Sequence, residues 1–277
     1  MDRVLYIQRF ANECAPIEAG AFIHAFVRCL GPEESVELLQ RSLVGDTTIR
    51  RAALRKVCSS IENGTINDPS ELLANLQQQV ANSEPRHRSG SAYCLLEVSR
   101  VCDGRVRCNI QSILGSSKYV GLRRRSYKLY DSKLPDSRAL LEHAWHAFHD
   151  REAAWLIVKT FSLEFLVENK RDLVDSFTEG WQLSKLYLRL AEIEPTVVDE
   201  LLKTNPVSYL YVMAKLGRSV TRQTLSSILD SSLGDERLGL VLWCMGELRE
   251  WDQLVVASAR TSEIAKARFP MCGSGIS

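Results

Sequence analysis

Apolar residues recur with the period of an α-helix along almost the whole chain, and nowhere with the period of a strand. Leu183, Leu186, Tyr187, Leu190 and Ile193 form one stripe at i, i+3, i+4, i+7 and i+10. Val207, Leu210, Tyr211 and Ala214 make a second, and Leu238, Val241, Leu242, Met245 and Leu248 a third. A half-buried strand would alternate apolar and polar residues, and no such run flanked by turn residues occurs. Asn63-Gly64 has the composition of a strand hairpin, but its flanks read as a helix end and a loop. The chain is expected to be all-α.

Turn residues cut this pattern into lengths. Asp68-Pro69 and Asn205-Pro206 pair a capping side chain with a proline whose missing N–H is harmless in a first helical turn. Gly31-Pro32-Glu33-Glu34 and Glu194-Pro195 also read as helix starts, the first with acids that suit the N-terminal dipole. Gly45, Gly64, Gly217 and Gly234 stand where helices stop. The segments between are helices of roughly 10–16 residues joined by short loops, which make successive helices antiparallel. A helical hairpin with apolar residues on two faces cannot bury both alone, whereas stacked hairpins cover one another. At 277 residues the chain is long for one compact core, and an array of this kind grows without one.

The residues themselves resemble a known family at this point. Asp46-Thr47-Thr48-Ile49-Arg50-Arg51-Ala52-Ala53-Leu54 is similar to the HEAT-repeat pattern of Asp, an aliphatic-Arg pair and a following Ala. Leu242-Trp243-Cys244-Met245-Gly246-Glu247-Leu248, with Leu254 beyond, resembles a second HEAT segment, and Gly121-Leu122-Arg123-Arg124-Arg125-Ser126 is a looser echo of the first. The resemblance implies a right-handed α-solenoid of stacked antiparallel hairpins over residues 1–268, about six to eight of them, with a flexible tail at 269–277. It also implies that Asp46 and Arg50 tie neighbouring hairpins together as half-buried polar groups needing partners. Residues 170–232 depart from the consensus.

Charge is unevenly spread. Between residues 86 and 133 eleven lysines and arginines face three acids, Glu97, Asp103 and Asp131. That segment carries +8 in a chain of formal charge +1, leaving −7 for the remainder. Such an excess recruits carboxylates or phosphates. Arg105, Arg107, Arg123, Arg124, Arg125 and Lys128 are the expected contact residues, because a planar guanidinium holds either oxyanion with two hydrogen bonds. Tyr119, Tyr127 and Tyr130 are interleaved with them, as suits a nucleic-acid surface, or else turn inward beneath the arginine stems.

Sites for chemistry are weak. His143, His146 and His149, with Asp150, cluster on one segment, but Leu140, Leu141, Ala144 and Phe148 define its buried stripe and turn His146 to solvent. No CxxC pair, phosphate loop, GxGxxG, GxSxG or HExxH occurs, so neither metal nor cofactor is expected. The helical-repeat alkylpurine DNA glycosylases are similar in architecture, yet the Trp145-to-Asp150 spacing departs from their Trp–Asp pattern. Nothing marks a pigment site of the kind found in repeat-built bilin lyases. Trp145, Trp155, Trp181, Trp243 and Trp251 read as core or hairpin-interface residues.

The longest apolar windows, residues 153–158 and 238–245, fall far short of the ~20 residues that cross a bilayer. Residues 1–13 lack a secretory apolar core, and the eight scattered cysteines read as buried free thiols. A cytoplasmic location with no membrane partner is expected. The expectation is a non-enzymatic scaffold for an acidic protein, with a nucleic-acid-binding HEAT-like protein, including the glycosylase-like reading, as the alternative.

Overall fold

The computed structural model describes residues 2–13, 16–82, 84–178, 180–233 and 236–268, with side chains described except at 16–18, 85–87 and 261–268. Among these residues the regular elements are helices, and there is no strand. None of the described helices is long and apolar enough to cross a membrane. The expected tail at 269–277 and the expected stop at Gly234 lie outside the described residues. The chain divides into two compact units, Met1–Ala153 and Ala154–Ser277.

The first unit holds α1 (Arg3–Glu13), α2 (Pro16–Arg28), α3 (Pro32–Arg41), α4 (Thr47–Glu62), α5 (Ser70–Asn82), α6 (Pro85–Arg100), α7 (Gly104–Gly115), α8 (Val120–Tyr127) and α9 (Pro135–Phe148). Neighbours in sequence pack together, α3 with α4, α5 with α6 and α7 with α8. Alternate helices touch as well, α2 with α4, α4 with α6, α6 with α8, and α7 with α9. One continuous core results, running from Ile7 and Ile23 through Leu38, Val57, Leu76 and Leu95 to Ile110 and Leu114, each no more than 1% exposed. Each such side chain contributes about 1.5–3 kcal/mol relative to standing in water.

The helix starts follow the sequence punctuation closely. Gly31 precedes Pro32 at the head of α3, where the Glu34 carboxylate accepts the Gly31 N–H at 2.8 Å. Asp103 caps α7 by accepting the Val106 N–H at 2.9 Å. Asp68 accepts the Ser70 N–H at 2.9 Å, so α5 opens one residue later than the Asp-Pro pair alone implies. Gly64 lies beyond the end of α4 at φ +73°, a backbone region that favours glycine.

The second unit takes up α10 (Arg151–Thr160), which begins just before the division, then α11 (Leu163–Glu168), α12 (Lys170–Asp175) and α13 (Gly180–Leu190). A 3-10 turn, Pro195–Val198, leads into α14 (Asp199–Thr204), α15 (Pro206–Leu216), α16 (Arg222–Ser232), α17 (Leu238–Glu247) and α18 (Trp251–Arg268). Glu194-Pro195 thus starts this short turn rather than an α-helix. α15 is the hub, packed by α13, α14, α16 and α17, and it buries Val207–Leu210 and Val212–Ala214 almost all round. Asn205 caps it by accepting the Ser208 N–H at 3.1 Å, and Gly217 at φ +63° ends it. In the stripe on α13, Leu186, Tyr187 and Leu190 are buried, but Ile193 lies past the helix end and is exposed.

The six described cysteines are free thiols. Burial pushes Cys58, Cys94 and Cys244 up to about 12, which keeps them protonated and unreactive at neutral pH. Cys29 is exposed, contrary to the expectation of burial, because it falls in the turn after α2.

A candidate anion-binding groove on α4 and α6

The groove begins with what α4 and α6 must bury. On α4, Ile49, Ala52, Ala53, Leu54 and Val57 face the core, which leaves Arg50, Arg51 and Arg55 along its flank. On α6, Ala92, Leu95, Leu96 and Val98 are buried, while Ser89, Tyr93 and Glu97 form an outer row at i, i+4 and i+8. Small residues let the helices approach. A Cβ added at Gly90 would stand 2.9 Å from the Leu43 carbonyl oxygen and 3.1 Å from Arg50 Nη1.

Two connected clefts lie along this seam. The first, about 330 Å³, is lined by Thr47, Arg50, Arg51, Ser89, Gly90, Tyr93 and Arg125. The second, about 410 Å³, shares Arg51 and Tyr93 and continues to Leu54, Arg55, Cys58, Glu97, Arg100 and Val101. Residue numbers rise together along both walls, so α4 and α6 run in the same direction there. Five arginines line the two clefts against one acid, Glu97, and its carboxylate already holds Arg100 at 2.9 Å.

The first cleft holds its guanidinium groups by neutral contacts. Arg50 donates from Nη1 to the Leu43 carbonyl at 3.1 Å and from Nη2 to Thr47 Oγ1 at 3.4 Å, and its buried Nε finds no hydrogen-bond partner. Arg125 reaches across from α8, donating to the Gly121 carbonyl at 2.7 Å and to Ser89 Oγ at 2.9 Å. Burial pulls the Arg125 pKa down from its usual value. Arg51 is exposed and has no partner among the described residues. Carbonyl and hydroxyl oxygens fix Arg50 and Arg125 without cancelling their charge.

Of the six cations singled out from sequence, Arg125 alone lines this groove. Arg123 is 7% exposed and turns inward, where its Nε and Nη2 grip the two oxygens of Asp150 at 2.5 and 2.9 Å. Tyr127 donates its hydroxyl to the same carboxylate at 2.6 Å, and the Phe148 ring lies 4.1 Å from the Arg123 guanidinium. Arg124 pairs with Glu152 at 2.8 Å, and Arg107 sits 3.5 Å from Asp131. Arg105 and Lys128 are exposed and unpaired among the described residues. The six do not share one site.

Other expectations need correcting. Asp46 is exposed and ties no hairpins together; it caps α4 by accepting the Thr48 and Ile49 N–H groups. Arg50 bonds the preceding turn through the Leu43 carbonyl and lies against Gly90 of α6. On α9 the buried stripe is Ser137, Leu141, Ala144 and Trp145, with Phe148 exposed, because His149 adopts the left-handed conformation (φ +51°) and ends the helix there. That turn aims Asp150 back at Arg123. The three histidines of this segment are exposed, and among the described residues no group of three His, Cys, Asp or Glu could hold a metal ion.

Trp145 is fully buried, but Trp181, Trp243 and Trp251 are exposed. In the second unit the Trp155 and Trp181 rings meet edge to face with centroids 4.7 Å apart. Tyr211 and Trp243 are 5.8 Å apart on α15 and α17, with Lys215 Nζ 4.6 Å from the Trp243 centroid. These rings are amphipathic surface packing, with cations lying on their faces.

The basic flank of α4 was absent from the sequence expectation, although residues 47–61 hold Arg50, Arg51, Arg55 and Lys56 with no acid. That local imbalance was the available signal. Comparison of the chain with protein-family models, with curated proteins and with solved structures gives no match.

Proposed function

We propose that this chain is a non-enzymatic binding protein, built as a HEAT-like α-solenoid, that holds an acidic segment of a protein partner in the groove between α4 and α6. The observation that carries this reading is the excess of guanidinium over carboxylate along that groove, five arginines to one glutamate. The solenoid reading draws support from the pairing of α3 with α4, α5 with α6 and α7 with α8, and from the contacts of α4 with α2 and α6, of α6 with α8 and of α7 with α9. The shared direction of α4 and α6, as expected of corresponding helices in successive hairpins, supports it further.

Nucleic acid is the competing occupant, favoured by Tyr93 lying among arginines. A glycosylase-like activity draws no support from the groove, because its one carboxylate is bound to Arg100. Fluorescence anisotropy on the full chain separates the two occupants. A glutamate-rich peptide is expected to bind more tightly than single-stranded or duplex DNA of equal charge at physiological salt, and Arg51→Glu/Arg55→Glu is expected to abolish that binding. Tighter binding of nucleic acid, with affinity falling steeply with salt, overturns the acidic-protein reading.

A further inference from the structure

We propose that the first cleft, between Arg50, Arg51 and Arg125, is a pocket for a phosphate monoester, carried as a phosphorylated residue in the acidic partner segment. The inference rests on the groove reading above and adds a ligand class to one end of it.

The arginines of this region fall into two sets. Arg100, Arg107, Arg123 and Arg124 each have a carboxylate within 3.5 Å. Arg50 and Arg125 bond only carbonyl and hydroxyl oxygens, and Arg51 bonds nothing among the described residues. These three line one cleft, to which no acid among the described residues contributes. Three uncompensated positive charges around about 330 Å³ exceed what one carboxylate or one phosphodiester, each a single negative charge, can neutralise. A phosphate monoester carries about −1.5 to −2 at neutral pH and offers three acceptor oxygens. Ser89 Oγ adds a hydroxyl at the wall.

The fit is also prearranged. The Leu43 and Gly121 carbonyls hold Arg50 and Arg125 before any ligand arrives, so little side-chain freedom is lost on binding. Gly90 keeps the cleft open, since a side chain there would strike Arg50 and the Leu43 carbonyl. The adjoining cleft, where Glu97 and Arg100 are already paired, lacks these properties.

The test uses the full chain and two matched twelve-residue peptides of Gly, Ala and Glu with a central serine or phosphoserine, followed by calorimetry or anisotropy. Phosphorylation is expected to tighten binding at least about tenfold. Arg51→Gln and Arg125→Lys are each expected to remove most of that gain while the helical circular-dichroism signal is kept. Phenyl phosphate is expected to compete with the phosphopeptide and diethyl phosphate is not. Among the described residues no histidine or carboxylate lines the cleft, so lowering the pH from 7 to 5 should weaken the phosphorylated peptide more than its serine twin, as the phosphate (second pKa about 6) takes a proton. Equal affinity of the two peptides overturns the pocket and leaves the groove reading standing. Binding of neither peptide overturns both. A phosphorylation gain that survives both arginine substitutions places the phosphate elsewhere and also overturns the proposal.

Discussion

Arg123 and Arg125 stand two residues apart on one helix and meet opposite fates. Arg123 is buried against Asp150, Tyr127 and Phe148, its charge matched by a carboxylate through two hydrogen bonds. Arg125 points to the other side of α8, where carbonyl and hydroxyl oxygens hold it and no acid among the described residues meets it. The first spends its charge on the fold, and the second keeps its charge unmatched by any acid among the described residues. A net charge summed over a segment is blind to this distinction, which depends on what lies opposite each guanidinium.

The largest effect should come from breaking the neutralised member. Asp150→Ala leaves the Arg123 guanidinium buried without its acid and is expected to destabilise the chain by about 3 kcal/mol, read from urea unfolding. A loss below about 1 kcal/mol would show that Arg123 reaches water in the folded chain. Acidity gives a second handle. Burial raises the Asp150 pKa, but hydrogen bonds from Arg123 and Tyr127 and the Arg123 charge outweigh it and hold the carboxyl below its usual value. Its stabilisation is therefore complete above pH ~4 and disappears as pH falls further, so wild type and Asp150→Ala should converge in acid.

Next in size is the seam that keeps Arg125's surroundings open. Gly90→Ala forces a Cβ against the backbone oxygen of Leu43, an atom that cannot rotate away, and is expected to cost about 1–2 kcal/mol. Unchanged stability would mean that α4 and α6 separate easily. Arg124→Ala removes a surface pair with Glu152 and should cost about 0.5 kcal/mol, vanishing in high salt. The smallest effect belongs to the uncompensated set. Arg51→Gln should leave unfolding within ~0.5 kcal/mol of wild type, since no described residue depends on it. A clear loss of stability there would show that Arg51 serves the fold, and the contrast drawn above would fail.

How much of this could be read from the chain varies with the range of the interaction. The helices were legible because their signals are local: Asp103 before α7, Pro32 and Glu34 at the head of α3, and the stripe of Leu186, Tyr187 and Leu190 all act within a few residues. Arg123 meets Asp150 from 27 positions away, and α4 brings Arg50 beside Gly90 from forty positions away, through packing that periodicity does not encode. The exposure of Trp181, Trp243 and Trp251 was illegible for a related reason. A ring's size suggests burial, but Trp181 precedes the first buried residue of α13 and stands half in water, sheltered by Trp155. Asp150 looked like a possible metal ligand among histidines until the left-handed turn at His149 carried it to Arg123.

Because α4 and α6 point the same way, the channel between them has unlike ends. Toward Thr47 and Ser89 it is unrelieved cation, and toward Arg100 and Val101 it grades into a self-satisfied ion pair and apolar wall. An extended strand laid along it would feel that gradient as a sense of heading, favouring its negative tip at the first end and greasier residues at the second. The seam would thus tell a sequence from its reverse, a vectorial reading that follows from two helices sharing a direction.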